Sequence, residues 1–593
     1  MPVAALDPSW QMSLNQAVED GLVFGRDVIF TCGPYAALIT GQYHPATYLR
    51  AVAVAFFFAA FLFAAIQAIS RGTGALWTCA LLLAILAVPG ARVELLGAYG
   101  LILSIVLVGH CAEAPREEGW QKSLFLAILF APLGLLPLTK LNLLLFTATL
   151  IPAQFAFLWL NGRRGLAACS VAVPVATLVA SWLLAGQPLQ GLPDYFASGS
   201  SVIFGYSDAM SNRGPVSEIV VYVLAASLMM LAILLPPRRS LPSRLLLFFS
   251  CGIFFFVSLK SGFVRHDRHA MNAAAGLVIA ATLLKFAVPA NRAVAAVVLA
   301  ALAGAGFIVF HYIDPSTSRI TDPYIRAAKG IAREISGGDL KAAYVARLEE
   351  IRSETKILPL EGTVDIYSFG QTALIASGNK WAPRPNLQSH AAYTPALADA
   401  DRDYLLERGP DNVIFRIETI DTRFPSLEDG SSWPVLLDDY RLDQSAGGYL
   451  YLRRRSDVSA PAMRPVEEGV HRFNEEVGLP DSPTPLFMKI RFHKTLLGNL
   501  ASALFRNPSL WIVAELANGE TQRYRLVPGM TETGFVISPV VETIEEFAAL
   551  YEDRASLAGK QVKSFRIAGR GSELFWRQSY EISIEALEPR PGG

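Results

Sequence analysis

Ten apolar runs occupy most of residues 50–311: roughly 50–70, 74–90, 95–110, 122–139, 141–160, 166–186, 216–236, 244–259, 271–288 and 292–311. A helix needs about 20 apolar residues to cross a bilayer, so this pattern predicts about ten transmembrane helices, nine to eleven with their soft edges. Composition agrees. Charged residues make up 17% of the chain and hydrophobic ones 52%, where soluble domains carry roughly 25% charged. The formal net charge of zero excludes a strongly basic nucleic-acid binder.

The chain changes character after His311. Up to residue 312 it holds 18 basic and 12 acidic side chains, and beyond it 33 and 39. Residues 317–355 carry a helical pattern broken at Gly337-Gly338. Short apolar strands (VDIYSF, NVIFRI, GYLYLRR) then alternate with helical stretches, as in a small α/β unit. From about 484 the chain reads as β-sandwich, with a hairpin turn at Asn518-Gly519. The expected division is a transmembrane domain over 1–312 with an outer loop over 1–49, an α/β domain over 313–480 and a β-sandwich-like domain over 481–593. All five cysteines lie in the first of these without a CxxC spacing, which excludes a zinc knuckle or disulfide framework in the soluble half.

Positive charge alternates between the connections. Arg71, Arg116, Lys122, Arg163, Arg164, Arg238, Arg239, Arg244, Lys285 and Arg292 fall on one set, which the positive-inside rule places in the cytoplasm. The other set is 1–49, 91–94, Lys140, 187–215, 260–270 and everything after 312. The soluble half is therefore expected on the periplasmic side of a bacterial cytoplasmic membrane. The chain opens in an outer loop with no signal sequence, and we expect a further helix to be missing before it.

Within that first loop, Asp7-Pro8 reads as a helix start, with the carboxylate as N-cap. Trp10, Leu14, Ala17 and Val18 make an apolar stripe suited to the membrane surface. Gly21 ends the helix, and Arg26-Asp27 and Gly33-Pro34 mark the turn back. The second polar cluster, KSGFVRHDRHA at 260–270, places Lys260, Arg265, His266, Asp267 and His269 between two spans. Charges so near the bilayer mark functional pathways. The cations suit a phosphate clamp; they equally suit lipid headgroups, and the two histidines with Asp267 or Asp7 could ligate a divalent cation. Lys140 reads either as a snorkelling side chain or as a further phosphate contact. The 187–215 loop reads as an interfacial segment, and the aromatic and polar stretch 380–395 reads as docking rather than sugar contact.

An outer loop with an early acid, an aromatic, a helix and a Gly/Pro turn resembles the GT-C superfamily of integral-membrane glycosyltransferases, in its protein O-mannosyltransferase and lipid A aminoarabinose transferase branch. There the loop runs from an Asp-Glu pair through an aromatic to a Pro-Pro-Leu turn. Asp7-Pro8, Trp10 and Gly33-Pro34-Tyr35 occupy the comparable places, with Pro8 departing from the second acid. Pro137-Leu138-Thr139-Lys140 is similar to that branch's Leu-Thr-Lys, and Ala91-Arg92-Val93-Glu94 is loosely similar to its Ala-Arg segment.

The resemblance implies a membrane enzyme that moves a sugar from a polyprenyl-phosphate donor to a glycan, lipid or protein acceptor on the outer side, inverting the anomeric carbon. Asp7 would be the general base. Trp10, Arg26, Asp27, Glu94, Lys140, Lys260, Arg265, His266, Asp267 and His269 would line the substrate site, with no assigned metal ligand and no cofactor beyond that divalent cation. The alternative is a non-catalytic membrane scaffold whose periplasmic domain binds a glycan or protein. A third reading, an acyltransferase, would make His266 the base.

Overall fold

The computed structural model describes all residues except 72–74, 89–90, 114–119, 236–238, 290, 313–317, 570 and 589–593. Arg116 and Arg238 of the basic connections thus lie outside the described residues. Among those described, nine helices are long and apolar enough to cross a membrane: Tyr48–Ser70, Arg92–Ala112, Trp120–Thr139, Asn142–Leu160, Arg164–Leu184, Val216–Leu234, Leu241–Phe263, Ala270–Ala287 and Arg292–Phe310. A shorter apolar helix covers Ala75–Ala87. These are the ten runs of the sequence. Alanines and glycines along Ala270–Ala287 let it sit deep in the bundle, where a Cβ at Gly276 would strike the Ser258 hydroxyl. Ser250 and Gln154 both donate to Ser104 Oγ, at 2.9 and 3.1 Å, tying three helices through one buried hydroxyl.

Segments predicted on one side of the membrane do meet on one face of the bundle. Leu141 N–H donates to Thr31 O at 2.9 Å. Arg92 donates to Ile39 O at 2.6 Å, Gln187 accepts from Phe24 N–H at 2.9 Å, and Asn212 N–H donates to Val264 O at 3.0 Å. We call this the domain face, because the soluble half rests on it.

The soluble half begins with the helices Ser318–Ile335 and Leu340–Thr355. Asp339 caps the second by accepting from Ala342 N–H at 2.9 Å. An α/β unit follows, with strands β1 (Thr363–Ile366), β2 (Lys380–Trp381), β3 (Asn412–Phe415), β4 (Tyr440–Ala446) and β5 (Tyr449–Arg454) in the order β2-β1-β3-β5-β4. β2, β1 and β3 run parallel, and β5 and β4 close the edge antiparallel.

The remaining strands are β6 (Met463–Arg472), β7 (Val477–Gly478), β8 (Leu486–Lys494), β9 (Leu510–Leu516), β10 (Thr521–Leu526), β11 (Phe535–Ser538), β12 (Val562–Ala568) and β13 (Trp576–Leu587). They form two four-stranded antiparallel sheets, β10-β9-β12-β7 and β11-β8-β13-β6. β6 and β7 therefore belong to the sandwich, and the division between the two soluble units falls near residue 460 rather than at 480. β6 is a charged edge strand, MRPVEEGVHR, whose exposed face hides it from an apolar-alternation reading.

The domains are not beads on a string. One contiguous buried core runs from Leu14, Phe24 and Ile29 through Leu138, Trp182 and Tyr195 to Leu387, Phe424 and the sandwich residues Ile512 and Phe565. The 187–215 segment is not a loop: residues 191–209 form the helix Gly191–Ala209, wedged between bundle and soluble half. The stretch after β2 docks there, since Tyr393 Oη donates to Val202 O at 3.1 Å.

Candidate functional site

The N-terminal helix spans Leu6–Glu19, and Ala5 is its N-cap. Asp7 is therefore not the cap but the second residue of the first turn, where a carboxylate favours the helix dipole. It is exposed, and its Oδ1 accepts from Trp10 Nε1 at 3.2 Å. The apolar stripe of this helix is not turned to lipid. Leu14 and Ala17 are buried in the shared core, and Pro8 O accepts from Thr372 Oγ1 at 3.5 Å.

The Gly33-Pro34-Tyr35 turn and the Pro137–Lys140 segment, a hundred residues apart, form one structure. Tyr35 N–H donates to Leu138 O at 3.1 Å, and Tyr195 Oη donates to Pro137 O at 2.8 Å. A Cβ on Gly33 would stand 2.6 Å from Leu138 O and closer still to the Tyr195 hydroxyl, so the turn requires glycine. Lys140 follows directly. Its ammonium has no hydrogen-bond or ion-pair partner among the described residues, and it stands within electrostatic reach of Glu94.

Glu94 is buried and accepts from Ser261 Oγ at 2.8 Å, and it also senses His269. His269 in turn bonds Asp267 through its ring Nδ1 and its backbone N–H. Against the opposing pull of burial, His269 and Arg265 hold the Asp267 carboxyl down to about 2. Arg265 Nε donates to Asp267 Oδ2 at 3.2 Å, while its two terminal nitrogens grip Asp421 at 3.1 and 3.4 Å. Burial pushes the Tyr206 phenol up. Arg265 opposes that shift, and Asp267, Asp421 and Asp7 add to it. Charges from three separate segments thus converge on one half-buried hydroxyl: Asp7 from the first loop, Arg265 and Asp267 from 260–270, and Asp421 from the α/β unit.

Other predicted residues go elsewhere. Lys260 donates to Ala503 O at 3.0 Å. His266 is buried and bonded through Nε2 to Glu218 at 2.9 Å, and Glu218 also accepts from Tyr312 Oη at 3.1 Å. That enclosure removes His266 from the surface role an acyltransferase base would need. Arg26 and Asp27 pair with each other at 2.9 Å, and Asp27 also meets Arg408 at 3.4 Å. Asp27 and Arg408 border an open cavity of about 710 Å³ lined also by Glu19, Asp20, Trp381 and Tyr404. Asp7 sits a helix length away, about 18 Å at 1.5 Å per residue. Among the described residues no group of three or more His, Cys, Asp or Glu stands close enough to hold a metal ion.

Neither a scan against protein-family models nor a search of curated proteins finds a match. Among solved structures, the crystal structure of ArnT from Cupriavidus metallidurans bound to undecaprenyl phosphate is similar over 76% of this chain and 99% of that one. The identity is 13% and the TM-score 0.31.

Sequence reasoning missed Asp421, Arg423, Arg525 and the role of Tyr206. Asp421 and Thr422 both adopt left-handed backbone, φ 53° and 55°, a conformation rare for a β-branched residue. This tight turn aims the Asp421 carboxylate at Arg265. Its only sequence signal is an acid within IETIDTRFP, too common to single out. Arg423 and Arg525 are both buried and satisfy the free carbonyls ending the Gly191–Ala209 helix. Arg423 donates to Ala209 O at 2.9 Å, and Arg525 to Asp208 O and Ala209 O at 2.9 and 3.0 Å.

Proposed function

We propose that this chain is a membrane glycosyltransferase that moves a sugar from a polyprenyl-phosphate carrier to an acceptor hydroxyl at the domain face, which we place on the periplasmic side of a bacterial cytoplasmic membrane. The observation that carries the reading is that the exposed Asp7 carboxylate acts on Tyr206 together with Arg265, Asp267 and Asp421, while the unpaired ammonium of Lys140 acts on Glu94, which His269 also reaches. A reaction that expels a phosphate while an alcohol attacks needs both a base and fixed positive charge.

Asp7 takes the proton from the acceptor hydroxyl as its oxygen attacks the anomeric carbon. The bond to the carrier phosphate breaks on the opposite face, so the configuration inverts. Arg265 has three of its five N–H groups engaged by Asp267 and Asp421, which leaves two for the departing phosphate. Lys140 supplies a second cation. Lys260, His266 and Glu94, bonded within the protein, position these groups rather than touch substrate, and His269 fixes Asp267.

Asp7→Asn tests the assignment. Asn still accepts from Trp10 and Ala5 remains the N-cap, so the helix start loses only the carboxylate's interaction with the helix dipole, about 0.3–1 kcal/mol. Transfer from a polyprenyl-phosphate sugar should vanish while chromatographic behaviour stays the same and melting shifts only slightly. Full activity in that variant sinks Asp7 as base. The scaffold reading finds less support, since it gives no reason for charges from three segments to meet.

A further inference from the structure

The nine residues Leu496–Leu504, LLGNLASAL, form a helix between β8 and β9 with no charged residue. Thr495 caps it, accepting from Gly498 N–H at 3.0 Å. At 3.6 residues per turn, Leu496, Leu497, Leu500 and Leu504 fall within an arc of about 100°. They are 89%, 45%, 53% and 51% exposed. Gly498, on the other side, is pressed so closely on Phe575 O that a Cβ would not fit. A single exposed leucine is ordinary. Four on one arc of an uncharged helix are a surface that a soluble domain would not leave in water.

Where this helix sits identifies its occupant. Lys260, at the end of the Leu241–Phe263 span, donates to Ala503 O at 3.0 Å. Arg506 Nη1 donates to Val264 O at 3.0 Å, and Lys494 pairs with Asp208 at 2.6 Å. Phe505 packs against the core of the transmembrane bundle. The leucine arc is therefore fixed at the rim, beside the end of the Leu241–Phe263 span.

A second helix repeats the arrangement elsewhere on the rim. In Ser318–Ile335, Tyr324, Ile331 and Ile335 share one face and are 41%, 61% and 82% exposed. Arg326, Lys329 and Arg333 fall on the opposite face at helical spacing. The Tyr324 hydroxyl donates to Leu86 O of the short apolar helix Ala75–Ala87, which anchors this element to the bundle as well.

We propose that the soluble half is itself a membrane-binding body: Leu496–Leu504 and Ser318–Ile335 lie in the interfacial layer of the domain-side leaflet with their apolar faces in lipid. Ser318–Ile335 has the form of an interfacial helix, apolar on one side and cationic on the other, while Leu496–Leu504 turns its leucines outward and packs its small residues on the protein. The inference is independent of any catalytic reading and concerns what the soluble half touches.

The test uses the full chain with its five cysteines replaced by serine, in nanodiscs of phosphatidylcholine and phosphatidylglycerol. Spin labels go on Leu500→Cys, Ile331→Cys and Asn518→Cys. Asn518 lies at the far end of β9, about 23 Å from the rim at roughly 3.3 Å per residue. Labels at 500 and 331 should be relaxed more by oxygen than by a water-soluble nickel chelate, with the order reversed at 518. A water-like ratio at both 500 and 331 overturns the proposal. So does shielding from both relaxants, which would mean that protein, such as a second copy of the chain, covers the arc. If Leu500→Cys fails to fold, Leu504→Cys reports on the same arc.

Discussion

Arg265 shows how a single side chain can tie two domains together and still keep N–H donors free. It closes a fork on Asp421 of the α/β unit and bonds Asp267 of its own loop. Arg265→Lys keeps the charge and loses the fork. It should lower kcat/KM about 100-fold, near 3 kcal/mol of transition-state stabilisation, with only a small change in melting. Equal activity in the lysine variant would show that point charge alone suffices. Gly33 carries a purely steric prediction. Gly33→Ala forces a Cβ onto Leu138 O and the Tyr195 hydroxyl, and should cost about 1–3 kcal/mol of stability. An unchanged melting temperature would mean that the turn moves freely against Pro137–Lys140. At this scale the sequence was readable where charge is rare. Asp7, Lys140, Arg265 and Asp267 stand out in the sequence; Asp7, Arg265 and Asp267 all act on Tyr206, and Lys140 acts on Glu94. It was silent where charge is common, so Asp421 in a soluble segment could not be distinguished from its neighbours.

The Gly191–Ala209 helix is the joint between the halves, and its C-terminal end is held by two buried arginines. They share the Ala209 carbonyl, so their removal should not be additive. Arg525→Ala is expected to cost about 2–3 kcal/mol, and the double variant with Arg423→Ala more than the sum of the two singles, because only then does the Ala209 carbonyl lose both donors, read by melting in detergent. The same joint carries a pH signature. His390 O accepts from Arg423 at 2.9 Å, and burial, with Arg423 and Arg265 nearby, pushes the His390 ring down to about 3. Burial likewise pushes His44 down to about 4. A histidine depressed in the fold takes up its proton only on unfolding, so the unfolded chain binds more protons below its ordinary value of about 6.5. Stability is therefore full above that value and falls as pH drops toward 3, by at most about 1.4 kcal/mol per pH unit for each ring. His390→Gln should flatten the slope of melting temperature between pH 6.5 and 5, a range above ordinary carboxylate titration. An unchanged slope would place the acid sensitivity elsewhere. The sequence showed this joint only as aromatic residues in a presumed loop, because the partners that fold it lie 200 to 300 residues away.

The whole molecule obeys a parity rule. Tyr344 reaches Met12 and Arg347 donates to Pro2 O at 3.2 Å, so the N-terminal helix and the soluble half lie on the same side of the membrane. An even number of crossings must separate them, yet only nine described helices have the length to span. The tenth is Ala75–Ala87, whose 13 residues measure about 20 Å against a hydrocarbon core of about 30 Å. A helix that short crosses only where neighbours shelter its ends or the bilayer thins. Its burial against the bundle at Leu81 and Ala84, and Lys285 set 5.9 Å over the Trp77 ring near its start, fit a crossing from the basic side. The periodicity of apolar runs made the bundle legible, since lipid demands it of every span. It could not separate a full crossing from a dip, because the two differ in depth and not in composition. Single cysteines at Arg71, Gln42 and Asn518, labelled in sealed vesicles by a membrane-impermeant maleimide, decide the matter. Positions 42 and 518 should react from one side and position 71 from the other, with Arg92→Cys, exposed at the start of the next span, joining the first pair. If 71 and 92 react from the same side, Ala75–Ala87 is re-entrant, and some longer helix must then fail to cross for the N-terminal helix and the soluble half to meet.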